Sequence, residues 1–259
     1  MKRKNSISST ERHEIIIQIV NEKKHISVDF ICSNFNVSQA TARRDLDLLH
    51  EQAALTRVHG GAIGVRKSQP ESPLFQRMEI QTENKQKIGL AAAELIGKGD
   101  TVFLGSGTTV YEVAKNLKNC EDITVITNSL LVINELVSCR GITLVALGGI
   151  VRHSEQSMIG HIAESSLSGL FADIVIIGIH GIDVEQGLTN HHLPEAVTDR
   201  KILEAGKRVF IVADHSKCGM ISVSKVAPLS VIDTLVTDEE TPTEFVNELK
   251  MIGIRVIRA

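Results

Sequence analysis

Aromatic residues are nearly missing: the 259 residues include no tryptophan, one tyrosine and seven phenylalanines. That scarcity excludes the stacking platforms on which single-stranded nucleic acids are held, and it leaves the core to aliphatic side chains, which a 42% apolar content can supply. The four cysteines, Cys32, Cys120, Cys139 and Cys218, are too scattered for a C-x-x-C pair or a disulfide framework, so a reducing compartment is expected. No apolar run approaches a membrane span and the opening MKRKNSISSTERHE is polar, so a cytoplasmic protein without a membrane partner is expected.

Net charge is small, −3, but it is unevenly placed. Residues 1 to 66 carry ten Lys/Arg against seven Asp/Glu, whereas residues 67 to 259 carry eighteen against twenty-four. A basic N-terminal module on an acidic body is the pattern of a nucleic-acid reader joined to something else. Ser8 and Glu11 have capping-box spacing ahead of the run IIIQIV. Ser27 can cap a second short helix through Phe35, and Ser38, after the NVS turn, a third to about His50. ALTRVHGGAIGV then alternates around Gly60 and Gly61 as a hairpin. Three helices and a hairpin predict a winged helix-turn-helix over 1–65. RKSQPESPLFQR, polar and holding two of the five prolines, opens a linker over 66–82.

From 83 to 259 helical stretches alternate with β-branched runs (TVFL, ITVIT, ITLVAL, DIVIIGI, RVFIVA, DTLVT, IRVI), which implies a largely parallel sheet covered by helices on both faces. The fold class expected is therefore α/β, a winged helix-turn-helix followed by a parallel-sheet α/β domain. In open sheets of this kind a ligand sits beyond the carboxyl ends of the strands. Five strand ends hold small or polar residues: Gly105, Ser106, Gly107, Thr108 and Thr109; Asn128 and Ser129; Gly148 and Gly149; His180 and Asp183; and ADHSK with Lys217. A polar anion such as a sugar phosphate suits them better than an apolar ligand. FLGSGTT spells neither a P-loop nor a dinucleotide fingerprint, because Val110 stands where the third glycine would be, and no cofactor is expected. Arg152 and Glu155 beside LGG, and Glu195 at a helix start, join the candidate contacts.

On a wheel of ~100° per residue, Ala42, Leu46 and Leu49 share one face of the third helix, while Ala40 and Arg44 point away, flanked by Thr41, Arg43 and Asp47; Leu48 fits neither face. An arginine pair on an arbitrary helix reads as solvated charge. Here the preceding short helix, the NVS turn and the basic hairpin residues Arg57 and His59 favour a recognition helix, its arginines pairing with guanine or holding phosphate. The DNA-contacting set is then Ser38, Gln39, Ala40, Thr41, Arg43, Arg44, Arg57 and His59.

SQATARRDLDLLHEQAALTRVHGGA resembles the helix-turn-helix signature of the DeoR family of bacterial sugar-metabolism repressors. NKQKIGLAAAELIGKGDTVFLGSGTT, VITNSL, LGGIVR, GLTN and FIVADHSKCG resemble that family's effector domain in the same order. The resemblance covers nearly the whole chain. It implies a fold related to ribose-5-phosphate isomerase and CoA-transferase domains, a phosphorylated sugar or sugar-derived effector, double-stranded operator DNA as partner, and an oligomeric repressor, a homodimer or homotetramer. Three departures stand out: Ala53 where the family usually has glycine, Gly105 where aspartate is common, and Asn84 where glutamate is common.

Two rival classes follow from the same residues. Asp183, Glu195, Asp214 and Lys217 converging on the Gly/Ser/Thr loop would suffice for enediol chemistry, which makes a sugar-phosphate isomerase-like enzyme with an accessory DNA-binding domain the alternative. Against it, a winged helix is superfluous to an isomerase. His180, His191, His192 and His215 raise a metal site, but no H-x-x-x-H or Cys/His grouping accompanies them; no metal is expected, and His180, His191 or His215 bonding sugar hydroxyls is the preferred reading.

Overall fold

The computed structural model divides into two compact units, Met1–Lys67 and Ser68–Ala259, and describes residues 8–23, 25–51, 54–58, 60–64, 66–67 and 73–259. In the first unit the helices α1 (Ser9–Lys23), α2 (Val28–Phe35) and α3 (Gln39–Glu51) are joined by a three-stranded antiparallel sheet of β1 (His25–Ser27), β2 (Leu55–Val58) and β3 (Gly61–Gly64), in the order β1-β3-β2; β4 (Arg66–Lys67) follows. All three caps expected from the serines form: Glu11 N donates to Ser8 Oγ at 3.2 Å, Phe30 N to Ser27 Oγ at 3.1 Å and Thr41 N to Ser38 Oγ at 3.1 Å. Each satisfies an amide that the first helical turn leaves unpaired. Asn36, in the left-handed region at φ 53°, makes the turn between α2 and α3; asparagine tolerates that backbone better than most residues. Strand β1 had no sequence signal, since three residues are too few to show alternation.

The core of this unit is aliphatic, built around Ile16, Val20, Ile31, Leu46, Leu49 and Leu55. A charged group is buried beside it. Arg12 donates from Nε to Asp45 at 2.7 Å and from Nη2 at 3.0 Å, and His13 Nε2 lies 2.8 Å from the same carboxylate. Burial works against the Asp45 charge, but the bonds from Arg12 and His13 outweigh it and hold the carboxyl below its ordinary value.

The second unit opens with α4 (Leu74–Met78), inside the stretch expected as linker, and α5 (Thr82–Ala93). It continues with β5 (Thr101–Leu104), α6 (Thr108–Asn116), β6 (Ile123–Thr127), α7 (Leu130–Leu136), β7 (Ile142–Ala146), the hairpin β8 (Ile150–Arg152) and β9 (Ser157–Ile159), and α8 (His161–Leu167). Then come β10 (Ala172–Gly178), β11 (Gly181–Asp183), β12 (Gly187–Asn190), α9 (Leu193–Glu204), β13 (Gly206–Val212), β14 (Met220–Ile221), β15 (Ser224–Ala227), β16 (Thr234–Thr237), α10 (Thr243–Met251) and β17 (Arg255–Arg258). Seven strands form one sheet in the order β17-β16-β13-β10-β5-β6-β7, every neighbouring pair parallel. Its inner strands read as continuous apolar runs because both faces are covered. One aliphatic cluster includes Val175, Ile177 and Ile211, the other Val102, Leu104 and Ile176, so successive residues of a strand feed opposite faces.

The strand order fixes where a ligand can enter. From β5 the chain builds outward through β6 to β7, returns to place β10 on the other side of β5, and builds outward again through β13, β16 and β17. The connections therefore leave in opposite directions from β5 and β10, and a crevice opens beyond their carboxyl ends. No helix among the described residues is long and apolar enough to cross a membrane.

Candidate functional site

In the first unit the surface of α3 divides as the wheel predicts. Ala42, Leu46 and Leu49 are buried, while Ser38, Gln39, Ala40, Arg43 and Arg44 are exposed and Thr41 is half-buried. Leu48 is exposed as well. Arg57 has a task the sequence did not reveal: Nε donates to Asp47 Oδ1 at 2.8 Å and Nη1 to the Gly61 carbonyl at 2.7 Å, tying the hairpin to α3. His59 and Ala53 lie outside the described residues. The face thus presents two arginines near the start of a helix whose opposite side is anchored in the core.

In the second unit a cavity of about 300 Å³ occupies the crevice at β5 and β10. One wall is the loop after β5, with Ser106, Gly107, Thr108 and Thr109; a second is the end of β10, with Gly178 and His180; a third is the end of β13, with Asp214, Ser216 and Lys217. Gly107 sits at φ 110° and ψ 160°, a backbone that essentially only glycine adopts, and α6 starts there with no side-chain cap. The first turn of α6 therefore offers amides and the positive end of a helix dipole. Gly105 does not line the cavity: its amide continues the sheet to the Ile176 carbonyl at 2.9 Å, and a Cβ there would meet Ile177 Cγ2 at 2.8 Å. The departure from aspartate at 105 is thus accompanied by close packing on β10.

Lys217 lies on a single 3₁₀ turn, His215–Lys217, started by Asp214, whose carboxylate accepts from Ser216 N at 3.0 Å. Lys217 is half-buried and forms no ion pair among the described residues. Lys85, on α5, is only 5% exposed and also lines the cavity. Burial first, with Lys217 and Arg77 nearby, pushes its pKa down to about 8 against the pull of Asp214. Lys85 was missed in the sequence, yet a signal was present: it shares its helix face with Ile88, Gly89 and Ala92 at i+3, i+4 and i+7. A lysine in an apolar stripe has to be paired or functional.

The remaining wall holds carboxylates, each with a partner. Glu195 is 2% exposed, forms an ion pair with Arg152, and accepts from Ser157 Oγ at 3.2 Å and Ser106 Oγ at 3.5 Å. Glu155 is equally buried and paired with Arg77. One turn after Glu195, Asp199 accepts from Asn190 Nδ2 at 2.7 Å. Burial and the neighbouring Glu195 push the Asp199 carboxyl well above its ordinary value.

Other expected contacts lie away from the cavity wall. Asn128 donates to the Met158 carbonyl at 3.1 Å, and Ser129 caps α7 through Val132 N. Gly149 enters the β8–β9 hairpin, where a Cβ would stand 3.0 Å from the Ile159 carbonyl, and its neighbour Gly148 is outside the lining too. Arg152 acts on the site through Glu195. Asp183 closes the β11–β12 turn, accepting from Glu185 N at 3.0 Å and Gln186 N at 2.9 Å. Asn84, the third departure, bonds Glu240 at 3.0 Å and is likewise not part of the wall. Of the histidines, His180 and His191 line the cavity; His215 is turned to Asp238, 3.0 Å away, with Glu240 at 3.8 Å.

Comparison with known proteins places both units. Residues 12–68 match the DeoR-like helix-turn-helix domain model and residues 80–239 the DeoR C terminal sensor domain model. The HTH-type transcriptional repressor GlcR of Bacillus subtilis (strain 168) is 37% identical, over 95% of this chain and 95% of its own. The glycerol-3-phosphate regulon repressor of Escherichia coli (strain K12) is 34% identical, over 94% and 96%. Among solved structures, ribose 5-phosphate isomerase A of Methanocaldococcus jannaschii overlaps 53% of this chain and 55% of its own at 17% identity and a TM-score of 0.41, a likeness from which no chemistry follows. With both units matched and relatives aligned along nearly the whole length, the chain belongs to the DeoR family: it is a DNA-binding transcriptional regulator with a C-terminal sensor domain.

Proposed function

We propose that this protein represses a sugar uptake or catabolism operon by binding operator DNA through Arg43 and Arg44, and that a phosphorylated sugar held in the strand-end cavity controls it. The observation that carries the reading is the meeting, at one crevice, of the uncapped start of α6 with two lysines, Lys85 and Lys217. An anion is stabilised there by backbone amides, a helix dipole and full positive charge together. The other side of the cavity supplies Glu155, Glu195 and Asp199, acceptors suited to sugar hydroxyls. The effector set is accordingly Ser106, Gly107, Thr108, Thr109, His180, Glu195 and Lys217, now joined by Lys85, with Arg152 orienting Glu195.

The repressor acts as a homodimer or homotetramer on paired half-sites about 10 bp apart or a multiple of that, because one winged helix offers too small a basic surface for stringent selection. The sugar phosphate is bound and released unchanged. Glu195, the carboxylate best placed to be a base, is already engaged by Arg152, Ser157 and Ser106, which ties its oxygens to the protein's own donors. The test is a titration of the purified protein with sugar phosphates and their free sugars, followed by product analysis. Binding of phosphorylated forms without turnover is expected; conversion of the bound sugar would move the protein to the isomerase class.

A further inference from the structure

The helix α4 is a single short turn-and-a-half, and a helix of that length has no stability of its own in water. It is held by four anchors. Leu74 is buried and its amide donates to the Ser154 carbonyl at 3.1 Å. Thr82 Oγ1 donates to the Met78 carbonyl at 2.9 Å. Arg77 pairs with the buried Glu155, and Lys85 Nζ donates to the carbonyls of Arg77 and Ile80, groups that a helix end leaves without partners. Two of these four anchors, Arg77–Glu155 and Lys85, belong to the wall of the cavity. The segment then turns into α5 through Gln81, a non-glycine residue at φ 54°, a conformation that costs energy and persists only while its surroundings hold it.

Resting on the reading that the cavity takes an anion, we infer that Pro73–Gln81 is a strap through which occupation of the cavity is passed along the chain toward the DNA-binding unit, with Lys85 as the group that senses the anion. An ammonium has three donors, and two of those on Lys85 are given to the strap; the third remains for a ligand. An entering phosphate takes that third donor and so fixes the ammonium in place on the Arg77 and Ile80 carbonyls, bonds that are strong because their donor is charged. The occupied cavity therefore grips the strap more firmly than the empty one. In the sequence, residues 68–72 separate Pro73 from the end of the first unit.

Hydrogen exchange of the full-length protein tests this, with inorganic phosphate as the probe and chloride matched for ionic strength. Amides of 74–82 and those of 106–110 are both expected to slow in phosphate, the strap by about fivefold, the size of one net hydrogen bond. In Lys85→Met the strap should no longer slow. In Leu74→Ala, which lies outside the cavity wall, amides 106–110 should still slow while phosphate ceases to change operator affinity. Slowing at 106–110 with no change, or faster exchange, at 74–82 in the wild type would overturn the strap and leave the anion site standing. A strap that still slows in Lys85→Met would remove Lys85 from the mechanism. No slowing at either segment would overturn the anion site itself, and the strap with it.

Discussion

Replacing Asp45 with asparagine should unfold the DNA-binding unit while sparing the sensor unit. The carboxylate receives two bonds from Arg12, at 2.7 and 3.0 Å, and sits 2.8 Å from His13; Arg12 is itself only 8% exposed. Asparagine keeps the shape but removes the charge, leaving a buried guanidinium without its anion. Removing one member of a buried pair costs about 3–5 kcal/mol, and a unit of this size holds little more than that in total, about 3–5 kcal/mol. Urea unfolding followed by circular dichroism and by operator binding should show an early transition at or near zero denaturant, with the later transition unmoved. The double substitution R12M/D45L should recover most of the loss, since an apolar pair of similar volume often replaces a buried ion pair at little cost. A loss below about 1 kcal/mol in Asp45→Asn, the range of an exposed pair, would refute the reasoning.

The same pair sets a pH dependence. Because the folded Asp45 carboxyl is held below its ordinary value, its contribution is fully present above about pH 4, the unfolded aspartate value, and is lost as pH falls through the folded one; R12M/D45L, which keeps the unit folded without that carboxyl, should flatten the acid limb in a stability titration. Arg44→Ala should lose about 5- to 150-fold in operator affinity, the value of one bidentate base contact, with circular dichroism unchanged; intact footprints would sink the recognition-helix assignment. Lys217→Met should weaken a phosphorylated ligand about 10- to 150-fold, one charged hydrogen bond, and leave the free sugar unaffected; equal losses by calorimetry would contradict it. Burial, with Lys217 and Arg77 nearby, pushes the Lys85 pKa down to about 8 against Asp214 and Glu112, so phosphate affinity should fall as pH rises through about 8 rather than about 10, and Lys85→Arg should abolish that fall.

Much of the fold was legible because local signals agreed with one another. Ser8, Ser27 and Ser38 cap the helices their spacing announced, and the β-branched runs became the strands of one parallel sheet. What escaped was set by tertiary contact. Helix α4 lay in a polar, proline-containing stretch and is helical only because Leu74, Arg77 and the Lys85 bonds hold it. Arg57 read as a DNA contact, yet it spans Asp47 and Gly61, which no spacing in the sequence could place together. In the cavity the loop 106–109, His180, Glu195 and Lys217 came together as expected, since strand ends of a parallel sheet share one edge. Asn128, Gly149 and Asp183 were drawn from the same pattern but serve turns and hairpins, because a βα loop needs such residues whether or not a ligand is near.

The most direct test of the account is an operator mobility shift titrated with a panel of sugar phosphates and the corresponding free sugars. At least one phosphorylated sugar should change operator affinity while its free sugar does not, and Lys217→Met should lose that response with its ligand-free operator binding intact. Equal responses to both forms, or an unchanged response in Lys217→Met, would contradict a phosphate-sensing repressor.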